Sequence, residues 1–284
     1  MTLFHHNDVY FADIAPIVAL ALREDICDGD ITGELIDPDK KMTAYILGRE
    51  DAICCGQPWV NAVFKAVDGR LSIDWKVSEG SACAANQIWV EISGAARSIL
   101  TAERCALNFL QTLSGTATLS AQYAQKIAHT PVQILDTRKT LPGLRLAQKY
   151  AVKVGGCFNH RLGLYHAFLI KENHIAACGS IQAAIELAKK LQPEKIVEIE
   201  VENLTELHEA IKAKADIIML DNFSLAEIRQ AVSLCQGQAK LEVSGGVNEA
   251  NLVELASTGI DYISIGALTK NVKAIDLSLR FYSD

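Results

Sequence analysis

The chain has 284 residues, half of them apolar and 21% charged, with a net charge of −7 and a pI near 5.5. That length and composition predict one large or two modest globular domains with a sizeable core, and they exclude a disordered chain. The acidic balance excludes a general nucleic-acid binder, which needs a broad basic surface, and the apolar run from Ile14 to Leu22 is too short for a membrane span and lacks the basic flank of a signal peptide. The expectation is a soluble cytoplasmic protein. Eight cysteines (27, 54, 55, 83, 105, 157, 178 and 235) lie scattered, with no C-x-x-C pair and no metal-type spacing to histidine. They read as free thiols in a reducing compartment. His5-His6 is too short for a metal tract.

In chain order, a helical pattern over Ile14–Glu24 comes first. Strand candidates follow in MTAYILGRE, LSIDWKV and QIWVEISG, then a long helical stretch from Ala95 to about Leu113 that continues through SGTATLSAQYAQKIAHT. These predict an amino-terminal α+β domain, residues 1–115, whose last helix leads into the next domain. From about residue 131 a regular alternation begins. The β-branched runs VQILDT, HAFLIK, KIVEIEVE, DIIMLD, AKLEVSG and DYISIGA are separated by LPGLRLAQKYAVKVG, SIQAAIELAKKLQ, LTELHEAIKAKA, SLAEIRQAVSLC and NEANLVELASTG, which repeat apolar residues at three and four spacing. Strands alternating with helices of this length predict a parallel sheet covered by helices. Six such repeats, where a closed barrel has eight, predict an incomplete α/β barrel over residues 116–270, with 271–284 packing back on the first domain.

In such barrels the functional residues sit at the carboxyl ends of the strands. Those ends here are Thr137-Arg138-Lys139, Lys171, Glu200 with Glu202, Asp221-Asn222, Ser244-Gly245-Gly246, and Ile265-Gly266-Ala267. Any one of them reads as a solvated residue or a turn glycine; six consecutive strands ending this way point to a site. Residues 136–174 carry seven basic and two acidic side chains, a net of +5 within a chain that sums to −7. Arg138, Lys139 and Lys171, with His160-Arg161 from the loop before the second strand, therefore form a focused cationic site for a small anion. Arginine suits planar carboxylates and lysine suits phosphate. The two glycine ends supply backbone N–H groups for a phosphate, and Glu200 with Asp221 are acids of the type that hold Mg²⁺. Together these features call for phosphorylated, polyanionic substrates. Arg145, Lys149 and Lys153 fall in a helical pattern and read as its solvated face.

The stretch DTRKTLPGLRLAQKYAVKVGGCFNHRLGLYHAFLIKENHI closely resembles the signature of the quinolinate phosphoribosyltransferase family, also called nicotinate-nucleotide pyrophosphorylase (carboxylating). So do LREDICDGDIT, TAERCALNFLQTLSGTAT, VEIEVENLTEL, DIIMLDNF, LEVSGGV and TGIDYISIGALT, and the resemblance covers nearly the whole chain. It implies an open-faced α/β sandwich before the incomplete barrel. It also implies a Mg²⁺-dependent transfer of phosphoribosyl from phosphoribosyl pyrophosphate (PRPP) to quinolinate, with loss of CO₂, to give nicotinate mononucleotide for de novo NAD synthesis. A homodimer is implied as well, in which Arg104 of TAER reaches the partner's site. Carried over by residue, Arg104, Arg138, His160, Arg161 and Lys171 bind quinolinate. Lys139, Glu200, Asp221, Ser244, Gly245, Gly246 and Gly266 bind PRPP, and Glu200 and Asp221 hold Mg²⁺, directly or indirectly. Lys139, Lys171, Glu200 and Asp221 form the catalytic set. One departure is Tyr165-His166, where the family pattern has a small residue or Phe followed by Asp. Three rival readings are a paralogue associated with molybdenum transport, disfavoured because LIKENH keeps Lys171; a Schiff-base aldolase, which leaves the paired arginines unexplained; and a non-catalytic phosphate-ligand sensor.

Overall fold

A computed structural model of the chain describes residues 7–283, so His5-His6 lies outside the described residues. In chain order the elements are α1 (Ile14–Ile26), β1 (Lys41–Gly48), β2 (Ala52–Ile53), α2 (Gln57–Val67), β3 (Ser72–Trp75), β4 (Ala82–Cys83), β5 (Ile88–Ala95), α3 (Ala96–Lys126), β6 (Gln133–Leu135), α4 (Arg145–Val154), β7 (Phe168–Ile170), α5 (Glu172–Cys178), α6 (Ile181–Leu191), β8 (Val197–Val201), α7 (Leu204–Lys212), β9 (Ile217–Asp221), α8 (Leu225–Cys235), β10 (Lys240–Ser244), α9 (Leu252–Ala256), β11 (Tyr262–Ser264), α10 (Ala267–Lys270) and β12 (Leu277–Phe281). They fall into two compact units that interleave along the chain. Of the described residues, one comprises 7–122 with Thr140–Gly156 and 267–283; the other comprises Tyr123–Lys139 and Cys157–Gly266.

The first unit is built on an antiparallel sheet in the order β12-β1-β5-β3. Alternate residues of β1, Ala44 and Ile46, turn inward onto Trp59, Val63 and Phe64 of α2 and onto Ile99 and Leu110 of α3, as the two-residue period of a strand requires. Glu79 caps α2: its two carboxylate oxygens accept the Gly56 and Gln57 N–H groups at 2.9 and 3.1 Å, where the helix dipole favours an anion. Helix α4 belongs to this unit. Its Gln148 is fully buried and satisfied, Oε1 accepting from Leu141 N–H at 2.7 Å and Nε2 donating to the Thr269 carbonyl at 2.9 Å. The solvated face expected for Arg145, Lys149 and Lys153 is not what forms. Lys149 is fully buried, and Lys153 places its ammonium over the Tyr10 ring at 5.1 Å.

The second unit is a six-stranded, wholly parallel sheet in the order β6-β11-β10-β9-β8-β7. β6 and β7 are its edges, so the barrel does not close; Phe158 adds one parallel bridge to Leu135. The central strands β8, β9 and β10 are buried along most of their length, as expected of a sheet covered on both faces, and β9 is apolar up to its last residue. Ser180, Asn203 and Ser224 cap α6, α7 and α8 with their side-chain oxygens, and α7 and α8 start within a few residues of the ends of β8 and β9. Helix α9 begins at Leu252 instead of near Asn248: Asn248 Oδ1 accepts from Ala250 N–H and Asn251 Oδ1 from Asn248 N–H, local bonds that hold those residues in turns. Helix α5 and strand β12 extend the predicted set. All eight cysteines are free thiols, Cys27 and Cys178 exposed and the others buried. Among the described residues no helix is long and apolar enough to cross a membrane.

Gly155 closes α4 against α3. A Cβ there would overlap the Ala117 carbonyl oxygen and stand 2.6 Å from Ser120 Cβ, and a helix backbone has no room to retreat. Gly155→Ala is therefore expected to lower the unfolding free energy by about 2 kcal/mol or more. Urea denaturation of the full chain, followed by circular dichroism, measures this.

Candidate active site

All six strands of the second unit run the same way, so their carboxyl ends lie on one side of the sheet. Asp221 and Ser244, the last residues of β9 and β10, stand in register. Glu200 is the fourth residue of β8, and Lys171 immediately follows β7. Lys171 and Glu200 form an ion pair across these neighbouring strands. The Lys171 backbone N–H donates to His174 Nδ1 at 3.0 Å, which sets the turn into α5.

Asp136, just past β6, anchors the loop that returns with His160 and Arg161. It is fully buried. Its Oδ1 accepts the His160 N–H at 3.0 Å and its Oδ2 accepts from Asn159 Nδ2 at 2.6 Å. On the other side of Asp136, Thr137 Oγ1 accepts the Lys139 N–H at 3.0 Å. Lys139 then lies over Gly266, where a Cβ would stand 3.1 Å from Lys139 Cδ. Arg138 is half-buried and Arg161 is buried, its Nη1 donating to the Ala167 carbonyl at 3.4 Å. Burial, and then the charge of Arg138, push the Arg161 guanidinium below its ordinary pKa, while Glu198 acts the other way. The Arg161 guanidinium thus lies within reach of the charge on Arg138.

Asn222 adopts a left-handed conformation with φ +56° and donates from Nδ2 to Asp221 Oδ2 at 2.8 Å. Its amide occupies the space a Cβ on Gly245 would need, and Asp221 Oδ1 would stand 3.2 Å from the same Cβ. Gly245 and Gly246 have φ of +87° and +62°, two consecutive left-handed residues of the kind glycine adopts without strain. Short helix α10 follows Gly266. The departure at Tyr165-His166 has a local role: His166 Nδ1 accepts the Leu162 N–H at 3.0 Å, and the His166 backbone N–H donates to the Gly163 carbonyl at 3.3 Å. A side-chain acceptor is what an Asp would also supply to that turn.

The structure thus gathers Arg138, Lys139, His160, Arg161, Lys171, Glu200, Asp221, Ser244, Gly245, Gly246 and Gly266 into the second unit, around one end of its sheet. Arg104 lies in the first unit, exposed on α3. A cavity of about 710 Å³ opens at the opposite ends of the strands, lined among others by Gln133, Ile217, Lys240 and Tyr262, and includes none of the predicted residues. Asn159, Glu198 and Glu242 were not assigned from sequence. The two glutamates are buried in parallel strands that should read as unbroken apolar runs, and that anomaly was the available signal. Replacing Asp136 with Ala strands a buried N–H and a buried amide, so a loss of about 3 kcal/mol is expected, with Asp136→Asn losing less. Thermal unfolding of the two variants beside the parent chain measures this.

Comparison with known proteins gives a consistent picture. Residues 30–114 match the family model "Quinolinate phosphoribosyl transferase, N-terminal domain" and residues 116–280 match the C-terminal domain model of the same name. The solved nicotinate-nucleotide pyrophosphorylase from Francisella tularensis is 48% identical, with a TM-score of 0.94 over 99% of each chain. The probable nicotinate-nucleotide pyrophosphorylase (carboxylating) of Bacillus subtilis is 38% identical, covering 90% of this chain and 89% of that protein. The quinolinate phosphoribosyltransferase (decarboxylating) 1b of Nicotiana tabacum is also 38% identical, covering 94% of this chain and 82% of that protein.

Proposed function

The chain belongs to the quinolinate phosphoribosyltransferase family, and from that premise we infer that it transfers phosphoribosyl from PRPP to quinolinate, releasing pyrophosphate and CO₂ and forming nicotinate mononucleotide for NAD synthesis. The observation that carries this reading is the loop held by Asp136, which brings His160 and Arg161 to the end of the sheet that also presents Arg138, Lys139 and the Gly245-Gly246 turn. Paired guanidiniums match the adjacent carboxylates of a pyridine-2,3-dicarboxylate, and the glycine turn matches a 5′-phosphate.

In this reading Arg138, Arg161, His160 and Lys171 clamp quinolinate with its ring nitrogen aimed at the anomeric carbon of PRPP. Lys139 contacts the departing pyrophosphate and stabilises charge that grows as the glycosidic C–O bond breaks. Glu200 and Asp221 hold the ribose hydroxyls, and Ser244, Gly245, Gly246 and Gly266 hold the 5′-phosphate. The ring nitrogen donates its electron pair to the anomeric carbon and becomes a pyridinium. That cationic nitrogen draws in the electron pair of the bond to the 2-carboxylate, CO₂ leaves, and C2 takes up a proton. Glu200 and Asp221 offer carboxylate oxygens, the hard donors Mg²⁺ prefers, from the ends of adjacent strands, so the residues fit that ion. When bound, Mg²⁺ supplies countercharge to the pyrophosphate.

We also place Arg104 in the site of a second copy of the chain, as a further quinolinate ligand in a cytoplasmic homodimer; its exposure on α3 leaves it available for that role.

Purified protein supplied with Mg²⁺, PRPP and quinolinate is expected to form nicotinate mononucleotide and CO₂ in equal amounts, and no nucleotide when nicotinate replaces quinolinate. Lys139→Ala should lower kcat by about a hundredfold or more with an unchanged unfolding curve; near-parental turnover would remove Lys139 from its role. A mixture of Arg104→Ala and Lys139→Ala chains, each inactive alone, should recover about a quarter of parental activity, because half of the re-formed dimers hold one intact shared site. No recovery after verified subunit exchange would confine Arg104 to its own chain.

A further inference from the structure

Lys171 stands at the end of a strand that has little sheet behind it. Strand β7 is an edge strand of three residues, paired on one side only, and its ladder with β8 ends at Ile170 opposite Ile199. Lys171 keeps an extended backbone, with φ −122° and ψ 171°, and the chain then bends into α5. That helix has seven residues, none of them buried. A helix so short is marginal on its own, because its costly first turn is followed by few further hydrogen bonds, and α5 has no buried face to anchor it. Something other than packing must fix where Lys171 leaves the sheet.

His174 does this from both sides of the Lys171 backbone. Its Nδ1 accepts the Lys171 N–H at 3.0 Å, and its backbone N–H donates to the Lys171 carbonyl at 2.8 Å. The Ile175 N–H adds a second bond to that carbonyl at 3.0 Å. Lys171 is the residue just before the helix and His174 the third residue within it, the position from which the second side chain of a capping box reaches back. Glutamate or glutamine is the common occupant of that position, and here an imidazole nitrogen supplies the acceptor. The other two side chains of the turn bond each other, Asn173 Nδ2 donating to Glu172 Oε1 at 2.7 Å, and do not compete for the Lys171 N–H.

The consequence reaches the Lys171 side chain. Its ammonium pairs with Glu200 across the neighbouring strands, while 42% of the side chain is exposed. Such a pair contributes little by itself, because two flexible side chains must be ordered in half-wet surroundings. A backbone already held at Lys171 leaves only side-chain rotations to order, both for the pair and for any anion that engages the ammonium.

We propose that His174 is a positioning residue: by tying the backbone of Lys171 at the end of β7, it sets the Lys171 ammonium where a substrate carboxylate binds. The inference rests on the reading that Lys171 contacts quinolinate, and it gives His174 itself no contact with substrate.

Two variants separate the acceptor from the ring. His174→Leu removes the acceptor, and His174→Gln returns one on the side chain common at that position. In ligand-free protein, amide hydrogen exchange over residues 171–178, followed by mass spectrometry, should be about tenfold faster in His174→Leu and within about threefold of parental in His174→Gln. In the steady state, His174→Leu should lower kcat/KM for quinolinate about tenfold, with KM for PRPP within about twofold and the thermal unfolding midpoint unchanged; His174→Gln should recover to within about threefold of parental. Parental exchange or parental quinolinate kinetics in His174→Leu would overturn the proposal. So would a glutamine variant no better than the leucine variant, or an unfolding midpoint that falls in step with activity. The exchange readout uses no substrate, so the two readings fail separately. If the parent chain does not turn quinolinate over, the assigned substrate is removed, while exchange that is fast in His174→Leu and parental in His174→Gln still establishes the tie on Lys171.

Discussion

Two guanidinium groups confined to one partly desolvated space repel each other, and that repulsion is relieved only by anions. Arg138 and Arg161 stand in this relation. Part of the relief comes from within the chain, through the Ala167 carbonyl and Glu198. In the proposed reading, a ligand with two neighbouring carboxylates supplies further relief. The free energy needed to bring the cations together is thus spent in folding, before substrate arrives, which is what preorganisation means for an anion site.

Everything that places those arginines follows from the parallel sheet. Its strands run parallel, so their carboxyl ends open together, and capped helices follow β8 and β9 within a few residues. Asp136 then acts as the hinge pin of the site: one buried carboxylate ties the end of β6 to the loop that brings His160 and Arg161 back beside Arg138. Glycine does corresponding work at the end of β10, since Gly245 must yield the space in which Asn222 and Asp221 sit.

Much of this was legible in the sequence because polar residues ending an apolar run are conspicuous. Lys171, Glu200, Asp221 and Ser244 could be placed by that rule alone, and six strand-helix alternations implied the open barrel before any coordinates. Other features were hidden for identifiable reasons. Lys149 reads as solvated because a helical wheel registers charge and not surroundings, whereas α4 is packed into the first unit. The start of α9 was overestimated because two asparagines make local bonds that compete with the helix. Glu198 and Glu242 look like ordinary strand polarity until the sheet shows both converging on His160 from β8 and β10. Strand β12 is invisible to local pattern because its register is supplied by β1, more than two hundred residues earlier.

The central claim is that this end of the sheet is a preformed reader of two adjacent carboxylates. Equilibrium binding of phthalate, quinolinate and nicotinate to the protein, by titration calorimetry in one buffer, tests it most directly. Phthalate keeps both carboxylates and lacks the ring nitrogen, so the account predicts that it binds within about tenfold of quinolinate. Nicotinate, with one carboxylate, should bind about a hundredfold more weakly. Equal affinity for nicotinate and quinolinate, or no measurable binding of phthalate, would contradict it.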